Sequence, residues 1–123
     1  MPFGREIVGV GIDLVSWDRI ERFLAEHSAG SLHRLLAPSE QKAFQDAPQP
    51  AAFFARCFAA KEAYFKARGD SWMGGENGFG QIEIVMNGKY EFGIASDFQA
   101  EGKFFESPNG IGARVFLWRE RNF

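Results

Sequence analysis

Between residues 7 and 15, Val8, Val10, Ile12 and Leu14 alternate with Ile7, Gly9, Gly11, Asp13 and Val15. A period of two predicts a strand, with Asp13 on the same side as two glycines. Ser16 follows as a candidate N-cap, and Ile20, Phe23, Leu24 and His27 recur at helical spacing, so a helix is expected to begin where the strand ends. A short helix is predicted over 39–44, where Ser39 is a candidate cap, and Pro48, Gln49 and Pro50 break the chain before a long one. On the long helix, Phe53, Cys57, Ala60, Tyr64 and Ala67 form one apolar stripe and Phe54, Phe58 and Phe65 another. A third face carries Ala55, Ala59, Glu62 and Lys66. Residues 69–80 hold five glycines and no period. The remainder reads as strands: 81–86, a two-residue hairpin at Asn87 and Gly88, and a return over 89–94. One or two helical turns are expected over 96–102. After Pro108, Asn109 and Gly110 comes a last strand over 111–118, with Ile111, Ala113, Val115 and Leu117 on one face. No repeat or linker interrupts the 123 residues, so a single α+β domain over 1–123 is expected.

Composition narrows the function class. With 46% hydrophobic residues, 14 of them Phe in the whole chain, a real core can form. A net charge of −2 gives no global basic surface, so no nucleic-acid partner is expected. No segment reaches the roughly 18–20 apolar residues of a membrane span, and the N-terminus lacks a signal-peptide layout. No membrane association is therefore expected, and a cytoplasmic location is the default. The lone Cys57 forms no internal disulfide and lies on an apolar stripe, which favours a buried thiol over a nucleophile.

Chemistry concentrates in FAAKEAYFKARG, from Phe58 to Gly69, where Lys61, Glu62 and Lys66 interrupt an alanine-rich helix. Glu62 and Lys66, four apart, either form an ordinary surface pair or project over a floor of small residues that a ligand can approach. Asp13 either helps to end its strand or holds a cation beside the gap left by Gly9 and Gly11, where a ligand or another backbone can come close. Arg19 and Arg22, with His33 and Arg34 beyond them, form a local basic patch or a solvated helix face. The glycine-rich 69–80 segment, with Trp72, either wraps a nucleotide or connects two elements.

Taken together, GVGIDLVSWDRI (9–20) and FAAKEAYFKARG (58–69), with about fifty positions between Asp13 and Glu62, resemble the 4′-phosphopantetheinyl transferases of the small holo-acyl-carrier-protein synthase type. The two motifs cover about a fifth of the chain. The resemblance implies a fold in which an antiparallel sheet packs against a long central helix. It implies transfer of 4′-phosphopantetheine from coenzyme A to a serine of an apo acyl carrier protein in lipid and fatty-acid biosynthesis, with release of adenosine 3′,5′-bisphosphate. It further implies Mg²⁺ held by Asp13 and Glu62, catalysis by Glu62 and Lys66, coenzyme contacts from Lys61, Lys66, Gly69 and Arg56, carrier docking by Arg19 and Arg22, and a homotrimer with active sites at the subunit clefts.

Some positions depart from the family pattern. Ala37 stands where a Ser or Thr usually opens a capping box, Cys57 where an Arg is usual, and Glu101 or a neighbour where a His is usual. Two alternatives stay open beside an active transferase. One is an inactive homologue that binds coenzyme A or a carrier protein without turnover, and the other is an α+β interaction module whose Glu62–Lys66 pair is structural.

Overall fold

Strand β1 (Gly4–Ser16) runs directly into helix α1 (Trp17–Glu26), with Ser16 Oγ accepting the Arg19 N–H at 3.1 Å as the expected N-cap. The computed structural model describes residues 4–69, 76–95 and 99–121. After α1 come α2 (Ala29–His33), α3 (Pro38–Asp46), α4 (Pro50–Arg68) and α5 (Glu76–Gly80). Strands β2 (Ile84–Asn87), β3 (Glu91–Ile94), β4 (Gln99–Ser107) and β5 (Gly110–Arg121) complete the chain. The strands form one antiparallel sheet in the order β1-β5-β4-β3-β2, and α4 lies across its inner face. This is the α+β arrangement of a sheet against a long helix.

Pro50 sits at the start of α4, where its missing N–H costs nothing, and Gly69 ends the helix in the left-handed conformation at φ 78°. Ile111, Ala113, Val115 and Leu117 of β5 all face inward and are buried, as their alternation predicts. They pack with Phe54, Ala59, Ala63 and Tyr64 of α4 in the main core.

Three local expectations are corrected. Residues 99–102 are the start of β4 and not helical: Ala100 and Gly102 lie opposite Leu117 and Val115, and Phe104 opposite Ala113, so pairing with β5 overrides local helical preference. Residues 96–98 lie outside the described residues. The hairpin after β2 turns over three residues, 88–90, with Gly88 at φ 82°. A two-residue turn at Asn87 and Gly88 would set Ile84 opposite Glu91 on the core side; the observed register sets it opposite Ile94, and Phe92 is buried too. Finally, Ala37 is the N-cap residue of α3, and Glu40 Oε1 accepts its N–H at 2.8 Å. Ser39 lies inside that helix and donates instead to Glu83 Oε2.

The outer face of the sheet is unusually apolar. Val10 and Ile12 are each 51% exposed and Leu14 66%, with Phe105 of β4 beside them at 41%. A bulge between Ile7 and Gly9 turns Ile7 outward as well.

Candidate active site between β1 and α4

Gly9 and Gly11 set the separation of β1 from α4. A Cβ on Gly9 would fall 1.9 Å from the Ala67 carbonyl oxygen, and one on Gly11 1.9 Å from that of Ala63. The gap in the strand is thus filled by the helix backbone and not by a ligand. Ala55 and Ala59 are fully buried core residues, so the small-residue floor is packing surface too. The consequence for chemistry lies two residues further on. Asp13 shares the inward face of Gly9 and Gly11, and close approach of strand and helix brings its carboxylate to the exposed end of the Glu62–Lys66 stripe.

There, Lys66 Nζ donates to Asp13 Oδ1 at 2.8 Å and to the Ile12 carbonyl at 3.3 Å. Arg19 Nη2, from the first turn of α1, stands 3.6 Å from Glu62 Oε1. Asp13 is only 6% exposed, and its Oδ2 is buried without a hydrogen-bond partner. Burial holds the Glu62 carboxyl above the usual carboxylate range, and the adjacent Asp13 charge pushes it the same way. Arg19 and Lys66 oppose that shift, while Asp13 would accept a hydrogen bond from a protonated Glu62, which favours that form. Two carboxylates therefore share one cleft, each paired with a cation from a different element.

A divalent cation fits this donor set. An orphaned, buried carboxylate oxygen beside a second carboxylate of raised proton affinity is a place where a further cation would be stabilised. Mg²⁺ is commonly held by one or two carboxylates, with water and phosphate oxygens completing its shell. Among the described residues no group of three or more His, Cys, Asp or Glu side chains is suited to hold a metal ion, so the protein's share would be two ligands.

The other residues singled out in the sequence fall in different places. Lys61, expected as a contact to coenzyme phosphates, is 0% exposed, and its ammonium donates to Glu40 Oε1 at 2.5 Å and to the Leu35 and Phe79 carbonyls at 2.8 Å each. All three of its donors are used inside the fold. Arg56, also expected at the coenzyme, donates to the Lys89 carbonyl at 2.8 Å and to Glu106 Oε1 at 2.6 Å. It lies six residues before Glu62, about 240° around the helix, and ties α4 to the β2–β3 turn and the end of β4. Gly69 caps α4 just beyond Lys66, its N–H donating to the Lys66 carbonyl at 3.1 Å. Trp72 lies outside the described residues. Arg19 and Arg22 line a groove of about 170 Å³ with Phe23 and Glu26. Glu101 points to the outer side of β4 opposite Phe116 and does not join Asp13, which lies on the inner side opposite Ala113. Cys57 is a buried thiol, and burial raises its pKa far above the ordinary range.

Two features escaped the sequence reading. Glu40 is the buried partner of Lys61, and Oε2 of the same carboxylate accepts the Ile84 N–H at 2.7 Å. Only its place three residues after the N-cap residue hinted at more than a surface charge. The second is that Arg19 reaches Glu62, which no spacing within either motif indicates.

Comparison with known proteins bears on this geometry. Residues 9–115 match the model of the 4′-phosphopantetheinyl transferase superfamily. A holo-[acyl-carrier-protein] synthase of Trichlorobacter lovleyi is 48% identical over 63 residues, which are 51% of this chain and 50% of the relative. The chain thus matches about half the length of that curated relative. The crystal structure of a holo-[acyl-carrier-protein] synthase from Neisseria meningitidis superposes with a TM-score of 0.79 at 26% identity, covering 91% of this chain and 98% of that one. A Bacillus anthracis holo-(acyl-carrier-protein) synthase, solved in complex with CoA (3′,5′-ADP), gives 0.75 at 28% identity, covering 91% and 96%.

Proposed function

Because the chain belongs to the 4′-phosphopantetheinyl transferase superfamily, we propose that it is a holo-[acyl-carrier-protein] synthase, moving 4′-phosphopantetheine from coenzyme A to a serine of an apo acyl carrier protein. In this reading the reaction requires Mg²⁺ and releases adenosine 3′,5′-bisphosphate. The carrying observation is the juxtaposition of Asp13, with its orphaned buried oxygen, and Glu62, with Lys66 bonded to Asp13. The names of the relatives and the coenzyme bound in the Bacillus anthracis structure point the same way.

The roles follow from charge. Asp13 and Glu62 would hold Mg²⁺, which would supply positive charge against the pyrophosphate that is broken. Glu62, or a water that it orients, would take the proton of the attacking serine. Lys66, at the exposed mouth of the cleft, faces the leaving phosphate and offsets its growing charge. Gly69, which ends α4 in the left-handed conformation three residues beyond Lys66, is assigned to the coenzyme in this reading. In this reading Lys61, whose three N–H groups are all bonded inside the fold, is left to the scaffold, and Arg56 is held by Lys89 and Glu106. Arg19 and Arg22 take the acidic surface of the carrier protein, with their groove as its seat.

The apolar outer sheet face supports a homotrimer, since contiguous exposed apolar surface of this kind marks an interface. The number three rests on family resemblance. Among the described residues no helix is long and apolar enough to cross a membrane. We place the protein in the cytoplasm, as one domain over 1–123, where carrier protein and coenzyme A would meet it.

Intact-mass measurement of an apo acyl carrier protein incubated with the protein, coenzyme A and Mg²⁺ tests this. Gain of one phosphopantetheine, abolished by chelator, is expected. No gain with any of several carriers would overturn the transferase reading and leave a coenzyme-binding homologue, to be sought by direct binding of coenzyme A.

A further inference from the structure

Arg19 holds two positions of interest at once. Its backbone N–H is bonded to the Ser16 cap, so the side chain leaves α1 from the first turn, where the helix dipole disfavours a cation. Its guanidinium is nevertheless kept there, 3.6 Å from Glu62 and over the Phe58 ring at 5.4 Å, with the side chain 51% exposed. The same side chain lines the groove shared with Arg22, Phe23 and Glu26.

We infer that Arg19 is a shared residue that neutralises Glu62 until a divalent cation does so, and is then free to bind carboxylates of the carrier protein. The inference rests on the metal and docking roles proposed above and adds a coupling between them. Asp13 and Glu62 carry two negative charges, and Lys66 and Arg19 two positive ones, so the cleft is formally neutral as it stands. A divalent cation on the two carboxylates leaves a surplus of two positive charges. Like-charge repulsion then weakens the hold of Glu62 on Arg19, and the groove becomes a stronger site for an acidic surface. Because coupling between two sites is reciprocal, metal and carrier must each tighten the other's binding.

Removing a cation from a docking patch should therefore improve metal binding, a result a merely structural Arg19 would not produce. Calorimetric titration of Mg²⁺ into Arg19→Ala, without coenzyme A, is expected to show roughly three- to tenfold tighter binding than the parent, the scale of one partly exposed ion pair. In a second titration the parent binds apo acyl carrier protein more tightly with Mg²⁺ than with NaCl of equal ionic strength. That gain is expected to vanish in both Arg19→Ala and Asp13→Asn; the latter shows that it does not arise from Mg²⁺ bound to the carrier. If Asp13→Asn loses Mg²⁺ binding but Arg19→Ala binds it no more tightly than the parent, the coupling is overturned and the metal site stands. If Asp13→Asn and Glu62→Gln both bind Mg²⁺ like the parent, the metal site fails, and the coupling with it.

Discussion

Glu62 collects more opposing influences than any other side chain in the cleft: burial and Asp13 favour its protonated form, while Arg19 and Lys66 favour the ionised one. The net upward shift has a consequence for stability. A carboxyl that ionises less readily in the folded chain than in the unfolded one contributes most favourably below its ordinary pKa, and that contribution is lost as pH rises through the raised folded value. In chelator, Glu62→Gln is therefore expected to melt above the parent at about pH 8, with the difference disappearing below about pH 4. A higher melting point for the parent at about pH 8 would contradict this. For activity the effect is opposite: Asp13→Asn and Glu62→Gln are each expected to lower carrier modification by more than about 100-fold at unchanged circular dichroism, since each removes a proposed metal ligand. Full activity in either variant would remove that residue from the site.

At the scale of elements, the Lys61–Glu40 pair joins α4 to α3, to the end of α5 and to the start of β2 through bonds to Leu35, Phe79, Ala37 and Ile84. Every partner is satisfied, so breaking the pair costs more than forming it gained. Lys61→Met leaves a buried, unpaired Glu40 and is expected to reduce stability by about 3–5 kcal/mol in urea unfolding. A loss below about 1 kcal/mol would show that Glu40 is neutral or reaches solvent. These elements also show why the sequence was readable only in part. The 19-residue α4 announced itself by its apolar stripes, but its two lysines, five apart, looked equally available for phosphate. Burial of Lys61 depends on a glutamate in another helix, and no periodicity along α4 carries that information. The start of β4 failed for a related reason: its local sequence is weakly biased, and its strand identity comes from β5 alongside it.

For the whole molecule, the two faces of the sheet have separate tasks. The inner face of β1 gives up side chains at Gly9 and Gly11 so that α4 can approach, whereas its outer face presents Val10, Ile12 and Leu14 to the surroundings. A strand that is apolar on a face covered by none of the described residues suits cover from another copy in the proposed homotrimer. Leu14→Glu, remote from the inner core, is expected to convert the assembly to monomers in sedimentation velocity while the far-ultraviolet circular dichroism is kept. An unchanged sedimentation coefficient would place the interface elsewhere.

Strands β1, β2, β3 and β5, helices α1, α3 and α4, the cap at Ser16 and the inward phase of β5 were legible in the chain. These rest on short-range periodicity, whereas the meeting of Asp13 with the Glu62–Lys66 stripe was expected only from the resemblance of the two motifs to a known family. Tertiary structure alone decided that the glycines of β1 accommodate a helix, that Lys61 and Arg56 are spent within the scaffold, and that Arg19 leans on Glu62. The physical reason is common to all of them: a polar side chain acts through its partner, and here each partner comes from a separate element brought near only by packing.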